Sequence, residues 1–396
     1  MNMKKTNGKI LAAIFAAAGV VTAAEACTSW VVHSSVSASG RMLVQKCRDS
    51  RVTPLDADIR RSRHGVKWMR IGMFKNCPLF AVSETGLVAI MNDGDDLTLK
   101  HPDKEFPEIK DARMWTSCAE MMRQMMDDCS TAAEATRLAV YYGRANIQAA
   151  RGGTMFIADP KRAFMIDLGS GYAEAKEITG GIIIITNCMH LPGVEEFSVK
   201  SVGGVRSDRA REANTRAELQ KRRVNNKYTV LGTIETSRLR CQEPMTKKYP
   251  CRRNSLGGCC FELDPEFPAE LTTAYIALGP QQHTVYVPAP MTLEQFPQEI
   301  VDSSWADMAY KLRERVGYDH KYLERFAAYE EKALPEYDKV REEARALLKA
   351  GKRDEAVKLL NECFARQYAE ALKLLKDTLA EATAAPENPE KLNAGL

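Results

Sequence analysis

Apolar and polar residues alternate in short runs from about residue 27 to residue 290. The apolar runs are four to six residues long and are separated by Gly, Asn and Asp, which favour turns. This pattern predicts the strands Ser29–His33, Met42–Lys46, Leu87–Met91, Thr154–Ala158, Ala163–Leu168, Ile182–Thr186, Thr273–Leu278 and Thr284–Val287.

Helical segments interrupt this series of strands in two places. A helical stretch is predicted over Ser117–Tyr142. It contains two capping boxes, which begin at Ser117 and Thr131, so it forms either two helices or one broken helix. A further helix is predicted after Ser207, running to Leu219. Because hairpin strands flank helices throughout, the sequence predicts an α+β fold with layered packing.

The composition changes after about Pro297, where turn residues become rare and helix formers dominate. Apolar residues then recur at helical spacing, as at Ala356, Leu359, Leu360 and Cys363. Gly351 lies between two such stretches, so residues 298–382 are predicted to form a helical hairpin or small bundle. This extension is either a packing appendage or a partner-binding module, and residues 383–396 are predicted to be a flexible tail.

The first 26 residues have the pattern of a signal peptide. A basic start at Lys4 and Lys5 precedes the apolar run Ile10–Val21, and Ala-Glu-Ala at 24–26 fits the small-x-small cleavage rule. The apolar run is shorter than the roughly 20 residues that span a bilayer. We therefore expect an exported protein, periplasmic or secreted, with no stable membrane span after cleavage. An uncleaved anchor is the alternative.

Cleavage after Ala26 would make Cys27 the first residue, with a free α-amine and a thiol on one carbon. An α-amine has a pKa of about 7.7–8.0 and a thiol about 8.5, so the amine can accept the thiol proton near neutral pH. It can later return that proton to a leaving amine. A lipoprotein signal would leave a lipidated Cys instead, but Ala24 stands where such signals usually have Leu.

The overall composition excludes several classes of protein. Hydrophobic residues make up 45% and charged residues 27%, which is ordinary for a globular protein. The net charge of +4 on 396 residues gives no reason to expect nucleic-acid binding. The six histidines form no H-E-x-x-H motif and no C-x-x-C occurs, so we predict neither a cofactor nor a metal.

The chain has 11 cysteines, an odd number. One nucleophile would leave ten, enough for up to five disulfides in an exported protein. Two bridges are expected within the cluster Cys241, Cys251, Cys259 and Cys260, with a metal site as the minor alternative. Cys47 and Cys188 adjoin candidate site segments, where they form either a bridge across the site or two free thiols.

Five segments occur in a suggestive order. Residues 27–32 begin with Cys and open a strand, and 46–49 (Lys-Cys-Arg-Asp) end the next strand. Segments 86–92 and 182–187 are strands that end in Asn, and 207–209 is Ser-Asp-Arg. Together they resemble the N-terminal-nucleophile (Ntn) hydrolases with a terminal Cys. These linear-amide hydrolases include choloylglycine hydrolases, penicillin V acylases, isopenicillin acyltransferases and secreted dipeptidases.

The resemblance implies a four-layer αββα sandwich over residues 27–297 and particular roles for individual residues. Cys27 would be the nucleophile, and Asp49 would hold its α-ammonium group. The Asn187 side-chain amide and the backbone N–H of Asn92 would donate to the oxyanion. Cys47 departs from the pattern, because the family has Asn in Asn-x-Asp where this chain has Cys47.

A cation from Lys46, Arg48 or Arg209 would favour the thiolate of the nucleophile. Residues two apart in a strand share a face, so Lys46 and Arg48 could both point at it. Each of these residues has a purely structural alternative. Asn92, Asn187 and Asp49 could be ordinary turn residues, and Arg209 could lie on a solvated helix face.

These features predict an exported cysteine amidohydrolase or peptidase that cleaves linear amide bonds through an acyl-thioester. Its substrate would be a small peptide, an N-acyl amino acid or a bile-acid-like conjugate. The alternatives are an acyltransferase that uses the same thioester, a disulfide-stapled binding or scaffold protein without catalysis, and a lipid-anchored relic of an enzyme. A homo-oligomer is left open.

Overall fold

A computed structural model of the chain describes residues 27–49, 54–73, 77–93, 118–144, 153–169, 172–192, 202–239, 248–252, 254–317 and 319–385. The predicted signal peptide, Cys241 and most of the predicted flexible tail lie outside these residues. In the described part, the strands are β1 (Thr28–Val32), β2 (Met42–Asp49), β3 (Asp56–Arg61), β4 (Lys67–Met73), β5 (Cys77–Ser83), β6 (Val88–Asp93), β7 (Gly153–Ala158), β8 (Ala163–Gly169), β9 (Tyr172–Glu177), β10 (Ile182–Ile185), β11 (Ser255–Leu263), β12 (Thr273–Leu278) and β13 (Val287–Pro290).

The helices of the same residues complete the list of elements. They are α1 (Cys118–Asp128), α2 (Ala132–Arg144), α3 (Val202–Lys221), α4 (Val230–Ser237), α5 (Pro268–Leu271), α6 (Gln298–Val301), α7 (Ser304–Val316), α8 (His320–Lys349) and α9 (Arg353–Ala384). The predicted helical stretch is thus two helices, and the capping box at Thr131 is present: the Glu134 N–H donates to Thr131 Oγ1 at 3.3 Å.

The strands form two antiparallel sheets. Sheet one has the order β10-β1-β2-β11-β12-β13, and sheet two runs consecutively from β3 to β9. One apolar core lies between the sheets and includes Val31 and Val44 from sheet one with Phe80 and Phe156 from sheet two. Helices α1 and α2 cover the outer face of sheet two, and α3, α4 and α8 cover that of sheet one. The predicted α+β, four-layer αββα architecture is confirmed.

Strand β11 lies in the middle of sheet one, although the apolar pattern predicts no strand there. It pairs with β2 on one side and β12 on the other. The strand is hard to recognise in the sequence because it is rich in Gly and Cys and is buried on both faces, so apolar and polar residues do not alternate along it. Gly258 is required by close packing, because a Cβ there would lie 2.3 Å from Tyr286 Oη.

Two further predictions of strands need correction. The last strand begins at Val287, not at Thr284, and ends at Pro290. Prolines are tolerated in β13 because it is the edge strand of sheet one, where one side of the backbone needs no partner. No strand is predicted at β3, β4, β5 or β9, whose residues include charged side chains or Pro between the apolar ones.

The C-terminal helices form the predicted hairpin, with Gly351 at a positive φ of 74° in the turn between α8 and α9. Their side chains are part of the domain's own cores: Trp305 and Phe364 join the core between the sheets, and Tyr337 joins the core outside sheet one. Buried Glu330 of α8 also accepts a 2.6 Å hydrogen bond from the Tyr286 N–H. These contacts are those of a packing appendage. Among the described residues, no helix has the length and apolar character needed to cross a membrane.

No disulfide is observed among the described residues. Seven of the described cysteines are free thiols: Cys27, Cys47, Cys129, Cys188, Cys259, Cys260 and Cys363. A disulfide between Cys259 and Cys260 is excluded, because these two consecutive residues of β11 point to opposite faces of the sheet. Cys259 therefore lies in the core between the sheets and Cys260 in the core outside sheet one.

A buried cysteine centre as candidate active site

The candidate site lies at one end of the core between the two sheets. Val31 of β1 and Val44 of β2 face that core. Side chains an even number of residues away share this face, which places Cys27, Lys46 and Arg48 on it. The three side chains are almost completely buried. Two adjacent strands thus bring one thiol and two cations together out of solvent.

Cys27 lies directly against both cations. Arg48 Nη1 donates to Cys27 Sγ at 3.2 Å, and Lys46 interacts with the same sulfur. Burial alone would raise the pKa of the Cys27 thiol, but Lys46 and Arg48 outweigh it, with help from the Asp49 backbone N–H. The net pKa of Cys27 is lower than that of an ordinary thiol, which favours the nucleophilic thiolate.

Asn92 connects the two sheets beside this centre. Its Oδ1 accepts a 2.6 Å hydrogen bond from Ser29 Oγ and a second bond from Lys46 Nζ. Its Nδ2 donates to the backbone oxygens of Ile185 at 3.2 Å and Thr186 at 3.0 Å. The side chain of Asn92 therefore orients Lys46 and fixes the end of β10, which leads directly into Asn187.

Asn187 is buried and held by a guanidinium group. Arg211 Nη2 donates to Asn187 Oδ1 at 3.1 Å and to Asp208 Oδ1 at 3.0 Å. Because the amide oxygen is bound to Arg211, the Nδ2 group of Asn187 points away from that arginine. Arg211 also interacts electrostatically with Cys27 and Asp49, which places it at the same centre.

Asp49 contributes a buried carboxylate. Its Oδ1 accepts a 2.5 Å hydrogen bond from Ser255 Oγ, whereas its buried Oδ2 has no hydrogen-bond partner among the residues that the structure describes. Burial raises the pKa of Asp49 to about 6, although Arg252, Ser255 and Arg211 act in the opposite direction. An unpaired buried acceptor is costly, so a cationic donor at Oδ2 would be favourable.

Arg209 lies elsewhere, and the expectation that it faces the nucleophile is corrected. Its side chain is 47% exposed, and it donates to Glu212 Oε2 at 2.9 Å and to the Met189 carbonyl at 2.8 Å. The arginine at the centre is Arg211, two residues further along α3. A signal for it was present in the sequence: counting back in steps of four from the buried Leu219 reaches Thr215 and Arg211 on one helix face.

Cys47 and Cys188 form no bridge across the site. Cys47 is on the opposite face of β2, in the core outside sheet one, and burial raises the pKa of its thiol well above normal. Cys188 lies beside Thr186 and Glu212, with its sulfur 3.6 Å from Glu212 Oε1. Both are free thiols, and Cys27 differs from them because it is the one whose pKa is lowered by neighbouring cations.

Several solved structures resemble this chain in fold. A cysteine-to-alanine mutant of conjugated bile acid hydrolase from Clostridium perfringens has 9% sequence identity and a TM-score of 0.41, covering 63% of this chain and 89% of that one. Penicillin V acylase from Agrobacterium tumefaciens has 12% identity and a TM-score of 0.38, covering 67% and 86%. No family model and no curated protein matches the sequence.

Proposed function

We propose that this chain is an exported cysteine amidohydrolase that cleaves linear amide bonds through an acyl-thioester on Cys27. The observation that carries the proposal is the pairing of a buried Cys27 thiol with Arg48 Nη1 at 3.2 Å and with Lys46, which together lower the pKa of the thiol. Cleavage after Ala26 would add the α-amine that serves as base.

The first half of the reaction forms the thioester. Sγ of Cys27 attacks the amide carbon while the α-amine takes the thiol proton, directly or through one water. The resulting α-ammonium is a suitable partner for Asp49 Oδ2, the buried oxygen that accepts no hydrogen bond from any described residue. As the C–N bond breaks, the ammonium returns a proton to the leaving amine, and the acyl group stays on the sulfur.

The tetrahedral intermediate carries a negative oxygen that needs fixed donors. The Asn187 amide is a suitable donor because Arg211 holds its oxygen and leaves Nδ2 turned away. The backbone N–H of Asn92 is the second candidate. The Asn92 side chain also has a supporting part, since it positions Lys46 and the turn before Asn187.

The second half of the reaction releases the acid. Water, activated by the α-amine of Cys27, attacks the thioester carbonyl, and the carbon–sulfur bond breaks to regenerate the thiol. An amine in place of water would give acyl transfer from the same intermediate. The substrate class is a small peptide, an N-acyl amino acid or a bile-acid-like conjugate, each of which presents one linear amide bond.

The test begins with the mature N-terminus, measured by mass spectrometry. Protein with Cys27 at its terminus is then given a panel of dipeptides, acyl-amino acids and bile-acid conjugates, with and without an added amine acceptor. We expect hydrolysis of at least one class and an acyl adduct on Cys27 after rapid quenching. Cys27→Ala should abolish both, whereas Cys259→Ala, at another fully buried thiol, should retain them. A retained leader on active enzyme, or full activity in Cys27→Ala, would overturn the proposal.

A further inference from the structure

A second cluster of reactive side chains lies behind the site, where the turn after β10 meets helix α3. Cys188, His190 and Glu212 each offer one ligand atom, and these atoms all lie within 4.8 Å of one another. The cluster is shielded from solvent: the His190 side chain is 8% exposed and that of Glu212 is 13% exposed. It contacts neither Cys27 nor its cations in the described hydrogen bonds, so the proposed reaction does not use it.

Three side chains approach one oxygen of the Glu212 carboxylate. His190 Nε2 lies 2.7 Å from Glu212 Oε1, Thr186 Oγ1 donates to it at 2.7 Å, and Cys188 Sγ lies 3.6 Å from it. The other carboxylate oxygen, Oε2, is occupied by Arg209 at 2.9 Å. The carboxylate is therefore oriented by Arg209 so that one oxygen faces the thiol and the imidazole.

The cluster combines three different kinds of donor atom, a sulfur, a nitrogen and an oxygen. A thiol, an imidazole and a carboxylate whose donor atoms lie within 4.8 Å of one another form a suitable ligand set for a divalent cation. Such a cation would stabilise the thiolate and the carboxylate together.

We propose that Cys188, His190 and Glu212 bind one divalent transition-metal ion, with Zn²⁺ the preferred ion. A mixed sulfur, nitrogen and oxygen donor set is typical of Zn²⁺. Metal–ligand bonds of about 2.0–2.3 Å in a tetrahedron put the donor atoms about 3.3–3.8 Å apart. Only small side-chain shifts are needed to reach that spacing. Water fills the fourth position, and the thiol proton passes to solvent on binding.

Neighbouring residues hold the turn that carries two of the proposed ligands in place. Asp167 Oδ2 accepts hydrogen bonds from the backbone N–H groups of His190 and Leu191, both at 2.6 Å, and so fixes the turn that carries the imidazole. The metal would join this turn to α3. Asn187 precedes Cys188, and Arg211 precedes Glu212, so the ion would hold together the two elements that position the Asn187 amide.

The experiment uses the full chain with Cys27→Ala, so that the candidate nucleophile cannot bind metal and activity plays no part. The chain is treated with chelator and titrated with Co²⁺, which reports thiolate ligation by a sulfur-to-metal charge-transfer band. We expect one Co²⁺ per chain with that band, displacement by Zn²⁺, and a rise in Tm with either ion. Cys188→Ser should lose the band, and Cys129→Ser, at another unpaired thiol, should keep it.

Two more variants keep the test decisive if Cys188→Ser does not fold. His190→Ala and Glu212→Gln should each weaken Co²⁺ binding by at least about tenfold, whereas His33→Ala, elsewhere on the surface, should not. Absence of stoichiometric binding would overturn the proposal. So would binding without the charge-transfer band, or a band that persists in Cys188→Ser, because either result places the ion at another site.

Discussion

Arg48 faces Cys27 across two neighbouring strands, with its Nη1 donating to the thiol at 3.2 Å. The pairing follows from the sheet register: Thr28 is opposite Cys47, so the next pair along the antiparallel ladder is Cys27 with Arg48. A fixed cation beside a buried thiol is a direct means of lowering its pKa. The lowered pKa of the Cys27 thiol is thus a consequence of strand pairing.

The first prediction concerns this cation. Arg48→Met should raise the pKa of the Cys27 thiol and slow its alkylation by iodoacetamide about tenfold at neutral pH, since each pKa unit changes the thiolate fraction about tenfold. The rate is measured against pH by mass spectrometry of the labelled peptide. Arg60→Met, which removes a cation paired with Asp58 in sheet two, is the control. Equal alkylation rates in Arg48→Met and in the unaltered chain would contradict the prediction.

The second prediction concerns Arg211 of α3. Arg211→Met removes the donor to Asn187 Oδ1, so kcat should fall about a hundredfold to a thousandfold, the range for a misplaced oxyanion donor. Arg206→Met, at an exposed position of the same helix, is the control, and its kcat should change less than about threefold. The two variants are compared by steady-state kinetics with a substrate from the panel. A loss in Arg206→Met as large as that in Arg211→Met would contradict the assignment.

The third prediction follows from the pKa of Asp49, which burial raises to about 6 in the uncleaved chain. A carboxyl whose folded pKa lies above its unfolded value favours folding when protonated. Its contribution is therefore full below about pH 4 and is lost as the pH rises through about 6. Raising the pKa of one carboxyl group from 3.8 to about 6 corresponds to about 3 kcal/mol in the free energy of unfolding.

Urea unfolding of the uncleaved chain at several pH values tests this. The unaltered chain should lose stability across the window relative to Asp49→Asn, in which the group cannot ionise. Asp354→Asn, at an exposed position, should follow the unaltered chain. A cleaved chain should show a smaller loss, because the α-ammonium of Cys27 would lower the pKa of Asp49. Parallel curves for the unaltered chain and Asp49→Asn would contradict the prediction.

The fourth prediction concerns the attachment of the C-terminal helices. Glu330 of α8 is buried and accepts from Arg238 Nε at 3.1 Å and from the Tyr286 N–H at 2.6 Å. Glu330→Ala leaves the buried Arg238 guanidinium without its carboxylate partner, so the free energy of unfolding should fall by about 3–5 kcal/mol. Glu331→Ala, at the adjacent exposed position, should change it by less than about 0.5 kcal/mol. Equal small effects in urea unfolding would indicate that the tail is not coupled to the sheets.

The sequence by itself determined the fold class and four residues of the candidate site, which are Cys27, Lys46, Arg48 and Asp49. Alternating apolar runs and capping boxes predicted most strands of sheet one, helices α1 and α2, and the α8–α9 hairpin, because these depend on local periodicity and caps. Strand alternation also put Lys46 and Arg48 on one face, where the structure places both. Cys27 and Asp49 were found from the order of the motifs. The signal peptide stays a prediction.

Only the tertiary structure decided which side chains meet. Strand β11 is buried on both faces, so its apolar and polar residues do not alternate and the sequence pattern does not reveal it. The sequence indicated Arg209 and not Arg211, because the rotation of α3 about its axis decides which of the two arginines is buried. The cluster of Cys188, His190 and Glu212 matches no ligand motif, since two of its members are on a turn and the third is 22 residues after His190. Spacing along the chain records local periodicity, whereas such contacts arise where separate elements pack together.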